Sequence, residues 1–237
     1  MRQTEALTKS EGASGDGEGA ELASVAAGGG RRYGDKTMSE RRAERRLRLL
    51  DAALDAFGSN GYRATSIEQL CTAAGISTRN FYEEFPDREQ LLLALHDDLN
   101  LRALNAVLQA LAEIHPDDLP ARAHAGAKAY FDVMTSDRRW ARIALVESVG
   151  VSPTAEAHRR AAIERFAELL RAEATHLAES GAIPQRDYTL TSIALVGAIN
   201  GLINTWTAEG DWGKRVDQVV EEAARLILLA LPGNWSA

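Results

Sequence analysis

Thr78, Arg79, Asn80 and Tyr82 stand close together in the stretch AGISTRNFYEEF, Ala74 to Phe85, directly before Pro86. Their side chains suit one kind of partner. A guanidinium can fork onto the acceptor edge of guanine, an amide can pair with adenine, and a Thr methyl or hydroxyl suits thymine or a phosphate. A Tyr hydroxyl adds a further group that can meet a base or a phosphate. Arg88 falls at the start of the next helical run, where it can meet phosphate together with that helix's amides. Upstream, SERRAERRLR gathers Arg41, Arg42, Arg45, Arg46 and Arg48 against only Glu40 and Glu44, in a chain of formal net charge -7. The acidic total does not exclude nucleic acid, because the footprint of phosphate binding is a local cluster. Taken singly these residues also have ordinary uses: an Arg-rich helix start is a solvated face, and a lone Tyr packs into a core.

Positioning such a face requires short helices and tight turns, and the pattern supplies them. Leu47, Leu50, Leu54 and Phe57 recur at helical spacing until Gly61. Ser66 stands three residues before Gln69, a capping-box pattern, and the run it opens stops at Gly75. Ala74 is small enough for close helix approach, and Ile76 can pack beside Leu70 and Phe81. Ser77 caps a third short helix, closed by Pro86. Asp87 then caps a long one with Leu91, Leu92, Leu95, Leu99 and Leu104 facing inward. Three short helices with a Gly-bearing turn between the second and third make a helix-turn-helix. Further helices are expected over 121–136, 137–149, 154–180, 188–209 and 214–231, separated by Gly150 with Pro153, Gly181 with Pro184, and Gly210 with Gly213. No β-alternating stretch of useful length occurs, so the fold is expected to be all-α. Residues 1–38 are rich in Gly, Ser, Ala and Glu and are expected to form a disordered tail. Their Gly15, Gly17 and Gly19 follow no strand pattern and make a poor nucleotide loop.

The stretch RRLRLLDAALDAFGSNGYRATSIEQLCTAAGISTRNFYEEFPDREQLL, Arg45 to Leu92, resembles the DNA-binding region of the TetR family of transcriptional regulators. The resemblance runs through Phe57, Gly61 and Tyr62, Thr65-Ser66, Ala74-Gly75-Ile76-Ser77, Phe81-Tyr82, Phe85, Arg88 and Leu91. Two positions depart from the family pattern: Glu84 stands where many members carry His, and Arg88 where Lys is usual. The resemblance implies phosphate contacts from Thr65, Ser66, Thr78, Tyr82 and Arg88, and base reading by Arg79 and Asn80. It also implies an N-terminal helix-turn-helix domain over 39–88 and a larger C-terminal helical body over 89–237 that binds an effector and dimerises. The implied partners are double-stranded operator DNA of near-palindromic sequence, an unidentified small-molecule effector, and a second copy of the chain.

In the body, Gly197 and Gly201 lie four apart beside Ala194. Glycine inside a helix costs about 1 kcal/mol, which close backbone approach can offset. They are expected to form a dimer interface with Val216, Val220, Ala223, Ile227 and Ala230; the alternative is tight packing within one subunit. Tyr130, Met134, Trp140, Glu147 and Phe166, beside Phe131 and Ile143, form a pattern that suits either a small-molecule pocket or a core. Asn200 and Asn204 are amides on an apolar helix and need partners. Glu147 can equally pair with Arg142.

Enzymatic readings find no support. His96, His115, His124, His158 and His176 are scattered without zinc-ligand spacing. Cys71 is the only cysteine, which excludes an internal disulfide and suits a buried, inert thiol. No Gly-x-Ser-x-Gly elbow or phosphate loop occurs. Catalytic residues, metals and cofactors are therefore not expected. No apolar run of about 18 residues is present, and the first residues lack a signal-peptide core, so a cytoplasmic protein without membrane contact is expected. Two function classes remain: a ligand-controlled DNA-binding regulator, a repressor before an activator, and a helical small-molecule-binding protein with a vestigial head.

Overall fold

The computed structural model describes residues 37–208 and 216–231. The tail expected over residues 1–38, apart from its last two residues, lies outside these. So do the expected break at Gly210 and Gly213 and the first residues of the expected last helix. No strand occurs among the described residues, and the fold is all-α.

Helix α1 runs Met38–Asn60 and opens earlier than the apolar pattern suggests. Thr37 caps it: its hydroxyl accepts the Glu40 N–H at 3.2 Å, and the Glu40 carboxylate accepts the Thr37 N–H at 2.7 Å. Helix α2, Ile67–Ala74, starts with the expected box between Ser66 and Gln69. Gly75, at φ 62, ends it with an N–H bonded to the last carbonyls, a left-handed position that favours glycine. Helix α3, Thr78–Glu84, is capped by Ser77, and α4, Arg88–Ala112, by Asp87. Their shared core holds Leu49, Phe57, Leu70, Phe81, Leu91 and Leu92, with Ile76 at its margin. Each such side chain contributes roughly 1.5–3 kcal/mol. Cys71 is buried there, and burial pushes its thiol pKa up, as an inert thiol requires.

The rest comprises α5, Leu119–Thr135; α6, Arg138–Arg142; α7, Pro153–Glu179; α8, Thr189–Ala208; and α9, Val216–Ala230. The single helix expected over 137–149 is two structures, because α6 passes into a π-helical turn at Ile143–Glu147. Such turns widen a helix by one residue and favour functional positions.

The structure corrects the expected dimer stripe. Val220, Ala223 and Ile227 are buried in the subunit's own core, and Val216 packs against it. An apolar helix face must be buried, but its period does not say against what. Gly197 and Gly201 behave differently. Both are exposed, and a Cβ added to either meets no described atom within 4 Å. Close packing inside one subunit is therefore not what they serve. They share an open face of α8 with Leu190, Ile193 and Ala194, and Leu229 of α9 is exposed as well.

Candidate nucleic-acid interface and effector cavity

Helix α3 presents an open polar face. Thr78 is exposed, and the Arg79 side chain is 89% exposed, its Nε 3.4 Å from Glu83 Oε1 in a pair that water screens. Asn80 is half-buried, and its backbone N–H is spent on the Ser77 cap, which leaves its amide for a partner. Tyr82 is 55% exposed and stands edge-on to Phe81. Ser66 lies half-buried at the start of α2, its hydroxyl accepting the Gln69 N–H at 3.2 Å.

Three residues expected at phosphates have their side chains committed within the protein. Thr65 is 2% exposed, and its hydroxyl donates to Gly61 O at 2.9 Å. Arg88 stacks 4.3 Å above the Tyr62 ring and donates to Thr65 O, tying the start of α4 to the loop before α2. Arg45 donates to Glu84 at 2.9 Å, and Arg42 Nε reaches the same carboxylate at 3.0 Å. Glu84 is therefore a structural hub: its side chain is 1% exposed, and two guanidiniums from α1 satisfy it. A buried charge left without such partners would be strongly destabilising. Its role lies in pinning α3 to α1, which residue type alone did not reveal.

The body encloses an apolar cavity of about 80 Å³. Tyr130, Phe166 and Asn200 line it as expected, with Val107, Leu170 and Ile199. Four other residues expected there lie elsewhere. Met134 is buried in the core, and Trp140 packs against the core of the head with Arg102 over its ring. Asn204 borders a separate polar cleft beside Arg139 and Arg142. Glu147 belongs to a clasp on α1. Arg122 and Glu173, missed in the sequence, also line the cavity. Arg122 is 9% exposed, donates to Leu111 O at 2.7 Å and Ile114 O at 2.9 Å, and grips Glu173 with both Nε and Nη2.

Tyr130 and Asn200 form another part of the wall. The Tyr130 hydroxyl donates to Asn200 Oδ1 at 2.8 Å, and burial pushes its pKa upward, so it stays protonated. The same two residues and Phe166 also line a second, smaller cavity of about 20 Å³, with His96, Asn100, Arg159, Ala144 and Leu145. The pKa of His96 is lowered to about 4, first by burial and then by the positive neighbours His158, Arg159 and Arg165, with Asp97 acting the other way. The histidines that looked scattered thus include a pair brought together by α4 and α7. Ligand atoms of His96, Asp97 and His158 lie within 4.8 Å of one another. Asp97 is already 2.9 Å from His158 Nε2 and 3.2 Å from Arg165, and the group reads as an ion-pair network.

The clasp joins head to body. Glu147 accepts the Tyr62 N–H at 2.7 Å and Arg142 Nε at 2.9 Å, so the pairing of Glu147 with Arg142 is the one formed. Arg142 also donates to Ser59 O at 3.1 Å, and Arg139 pairs with Asp55. A Cβ on Gly58 would meet Arg139 Cβ at 2.5 Å, so this approach requires glycine. No motif announced the clasp, because its members are far apart in sequence.

Residues 49–95 match the family described as bacterial regulatory proteins, tetR family. The chain is similar to the HTH-type transcriptional activator FasR of Mycolicibacterium smegmatis, 29% identical over 136 residues, which are 57% of this chain and 60% of that one. The matched part thus spans less than two thirds of that relative. Among solved structures, the fatty acid degradation regulator FadR from Bacillus halodurans superposes with a TM-score of 0.71 at 17% identity, covering 85% of this chain and 100% of that one. FadR from Bacillus subtilis in complex with stearoyl-CoA gives 0.66 at 16% identity, covering 80% and 99%. At such identities these structures establish a shared fold. No described helix is long and apolar enough to cross a membrane.

Proposed function

We propose that this chain, whose residues 49–95 match the tetR family of bacterial regulatory proteins, is a ligand-responsive transcriptional regulator acting in the cytoplasm. It is not an enzyme. Residues 39–88 serve as the DNA-binding head and 89–237 as the effector-binding and dimerising body. The observation that carries the reading is the open face of α3, where Thr78, Arg79, Asn80 and Tyr82 stand outward on a helix-turn-helix. Arg79 and Asn80 read bases, while Thr78, Tyr82 and Ser66 hold phosphates and set the register. Two copies join through the exposed apolar face of α8, with Gly197 and Gly201 allowing close approach. Their heads then meet successive major grooves of a near-palindromic operator, about 34 Å apart.

The effector is a small molecule with an apolar chain that enlarges the cavity past Tyr130, Phe166 and Asn200. The stearoyl-CoA bound by the Bacillus subtilis neighbour supports an effector that carries an acyl chain. The signal has a contiguous physical route. Ala144 and Leu145 of the π turn line the inner cavity, and Glu147 at the end of that turn holds Tyr62 of the head. Filling the cavity displaces the turn, loosens the clasp and favours a head spacing that no longer fits DNA. The outcome is repression relieved by effector. The likeness to an activator, FasR, supports a second reading in which the effector-free and effector-bound roles are exchanged.

Fluorescence anisotropy with the DNA upstream of the protein's own gene tests the proposal. Specific, salt-sensitive binding of a dimer is expected, weakened by effector in the repressor reading and strengthened in the activator reading. Equal affinity for this DNA and for random duplex would leave a small-molecule-binding protein with a vestigial head.

A further inference from the structure

The polar end of the cavity system holds a donor that no described residue satisfies. Arg159 Nε is buried and finds no hydrogen-bond partner among the described residues. Beside it the Asn100 amide, which gives one bond to His96 O at 2.7 Å, sits 3.2 Å from His96 Nδ1 and 3.3 Å from Nε2. Asn200 and Tyr130 complete the lining from the apolar side. A guanidinium N–H buried without an acceptor costs more than an ordinary hydrogen bond returns. Such a group can be completed by an acceptor that the protein chain does not itself provide, whether water, an ion or a ligand. The nearby carboxylate, Asp97, does not supply it, being occupied by His158 and Arg165.

We propose that this inner cavity receives the carboxylate of the effector, so that the ligand is a free, chain-bearing carboxylic acid bound head-inward on Arg159, with Asn100 and His96 beside it. This rests on reading the apolar cavity as the effector chamber, and it names the end group that the chamber selects. The tail runs past Tyr130 and Phe166 toward the Arg122–Glu173 pair. Three further observations agree. The inner cavity, at about 20 Å³, matches a small terminal group. Burial chiefly holds His96 neutral, and the nearby guanidiniums of Arg159 and Arg165 add to that effect and favour an incoming anion. The neighbouring groove between α4 and α7 is lined by Asp97, Asp98 and Arg165, and its acids pair with Arg165 and Arg102, which leaves it no net positive charge for a pyrophosphate.

Isothermal titration of the full chain at pH 7.5 with octanoate, octanol and octanoyl-CoA is the test, with circular dichroism confirming the fold of each variant. Octanoate is expected to bind at least tenfold more tightly than either of the others. Arg159→Gln should erase the advantage of octanoate over octanol, and Arg159→Lys should keep part of it. If Arg159→Gln does not fold, Asn100→Leu is expected to reduce the same advantage. Octanol binding as well as octanoate, octanoyl-CoA binding more tightly, or Arg159→Gln leaving octanoate affinity unchanged would each overturn the carboxylate site while leaving the apolar chamber in place. No binding of any of the three would remove the chamber reading itself, and this inference with it. Zinc chloride binding alone, lost in His158→Ala, would instead assign the polar cluster to a cation and overturn the proposal.

Discussion

The head and the body treat their buried polar groups in opposite ways. In the head, Glu84 is met by Arg42 and Arg45, Thr65 by Gly61 O, and Arg88 by Thr65 O and the Tyr62 ring. In the body, Arg122 is satisfied just as fully, yet Arg159 Nε has no partner among the described residues, and His158 Nε2 lies 2.9 Å from Asp97 in a direction unsuited to a hydrogen bond. The surfaces differ in the same sense. The head exposes charged and amide groups on α3, whereas the body exposes Leu190, Ile193 and two glycines on α8. A completed interior with a polar face suits a rigid reader of DNA. An incomplete interior with an apolar face suits a part that accepts ligand and partner.

The largest expected effect breaks the contrast at the body's outer face. Gly201→Leu should convert a dimer to a monomer by light scattering and abolish operator binding. Thermal stability of the subunit should hold or rise, because glycine in a helix costs about 1 kcal/mol and the new side chain points into open space. An unchanged mass with operator binding intact would move the interface elsewhere.

Next comes the interior. His96 has a pKa of about 4 in the folded protein and near 6.5 when unfolded. Below pH 6.5 the unfolded chain takes a proton that the folded one refuses. The contribution is thus intact above about pH 6.5 and falls away toward pH 4, on the order of 3 kcal/mol in all. Urea unfolding at pH 7 and pH 4.5 reads this loss, and His96→Leu should flatten it. Burial sets most of the shift, His158, Arg159 and Arg165 add to it and Asp97 opposes it, so an equally steep loss in the variant would assign the acid sensitivity to those neighbours or to carboxylates elsewhere.

Within the head the effects are smaller and separate by type. Arg79→Ala should cost about 1–3 kcal/mol on the operator and little on random duplex. Competition binding decides, and equal losses on both would remove Arg79 from base reading. Tyr82→Phe should cost about 1 kcal/mol on both DNAs alike, because a phosphate contact carries no sequence information. A loss confined to the operator would place the hydroxyl at a base.

The head was legible in sequence where its determinants are local. Ser66 with Gln69, Gly75, Ser77 and Asp87 fix helix ends through atoms a few residues apart. Arg45, Thr65 and Arg88 were less legible, because their type permits phosphate contact while their surroundings engage them first. The body shows the same limit at longer range. Its helices were placed closely, yet Arg122 meets Glu173, and Glu147 meets Tyr62, only after the chain has folded. The stripe on α9 was apolar as read, and the three-dimensional packing turned it inward. Of the expected pocket residues, Tyr130, Phe166 and Asn200 came together because α5, α7 and α8 converge there. Arg159 looked like one arginine among many.

The π turn at Ile143–Glu147 has a consequence for how the molecule tolerates changes of length. A continuous α-helix advances about 100° for each residue, so one residue of slack in this turn sets the angular phase at which Glu147 faces Tyr62. Deleting Leu145 should let the helix close into regular winding and rotate everything beyond it out of step. Head and body would each stay folded, but the carboxylate would point away from the amide it now accepts. Effector binding and DNA binding would then persist side by side as independent equilibria, with no linkage between them. The wide turn is in this sense a phase-setting spacer, and its length matters more than the identity of the side chains it carries.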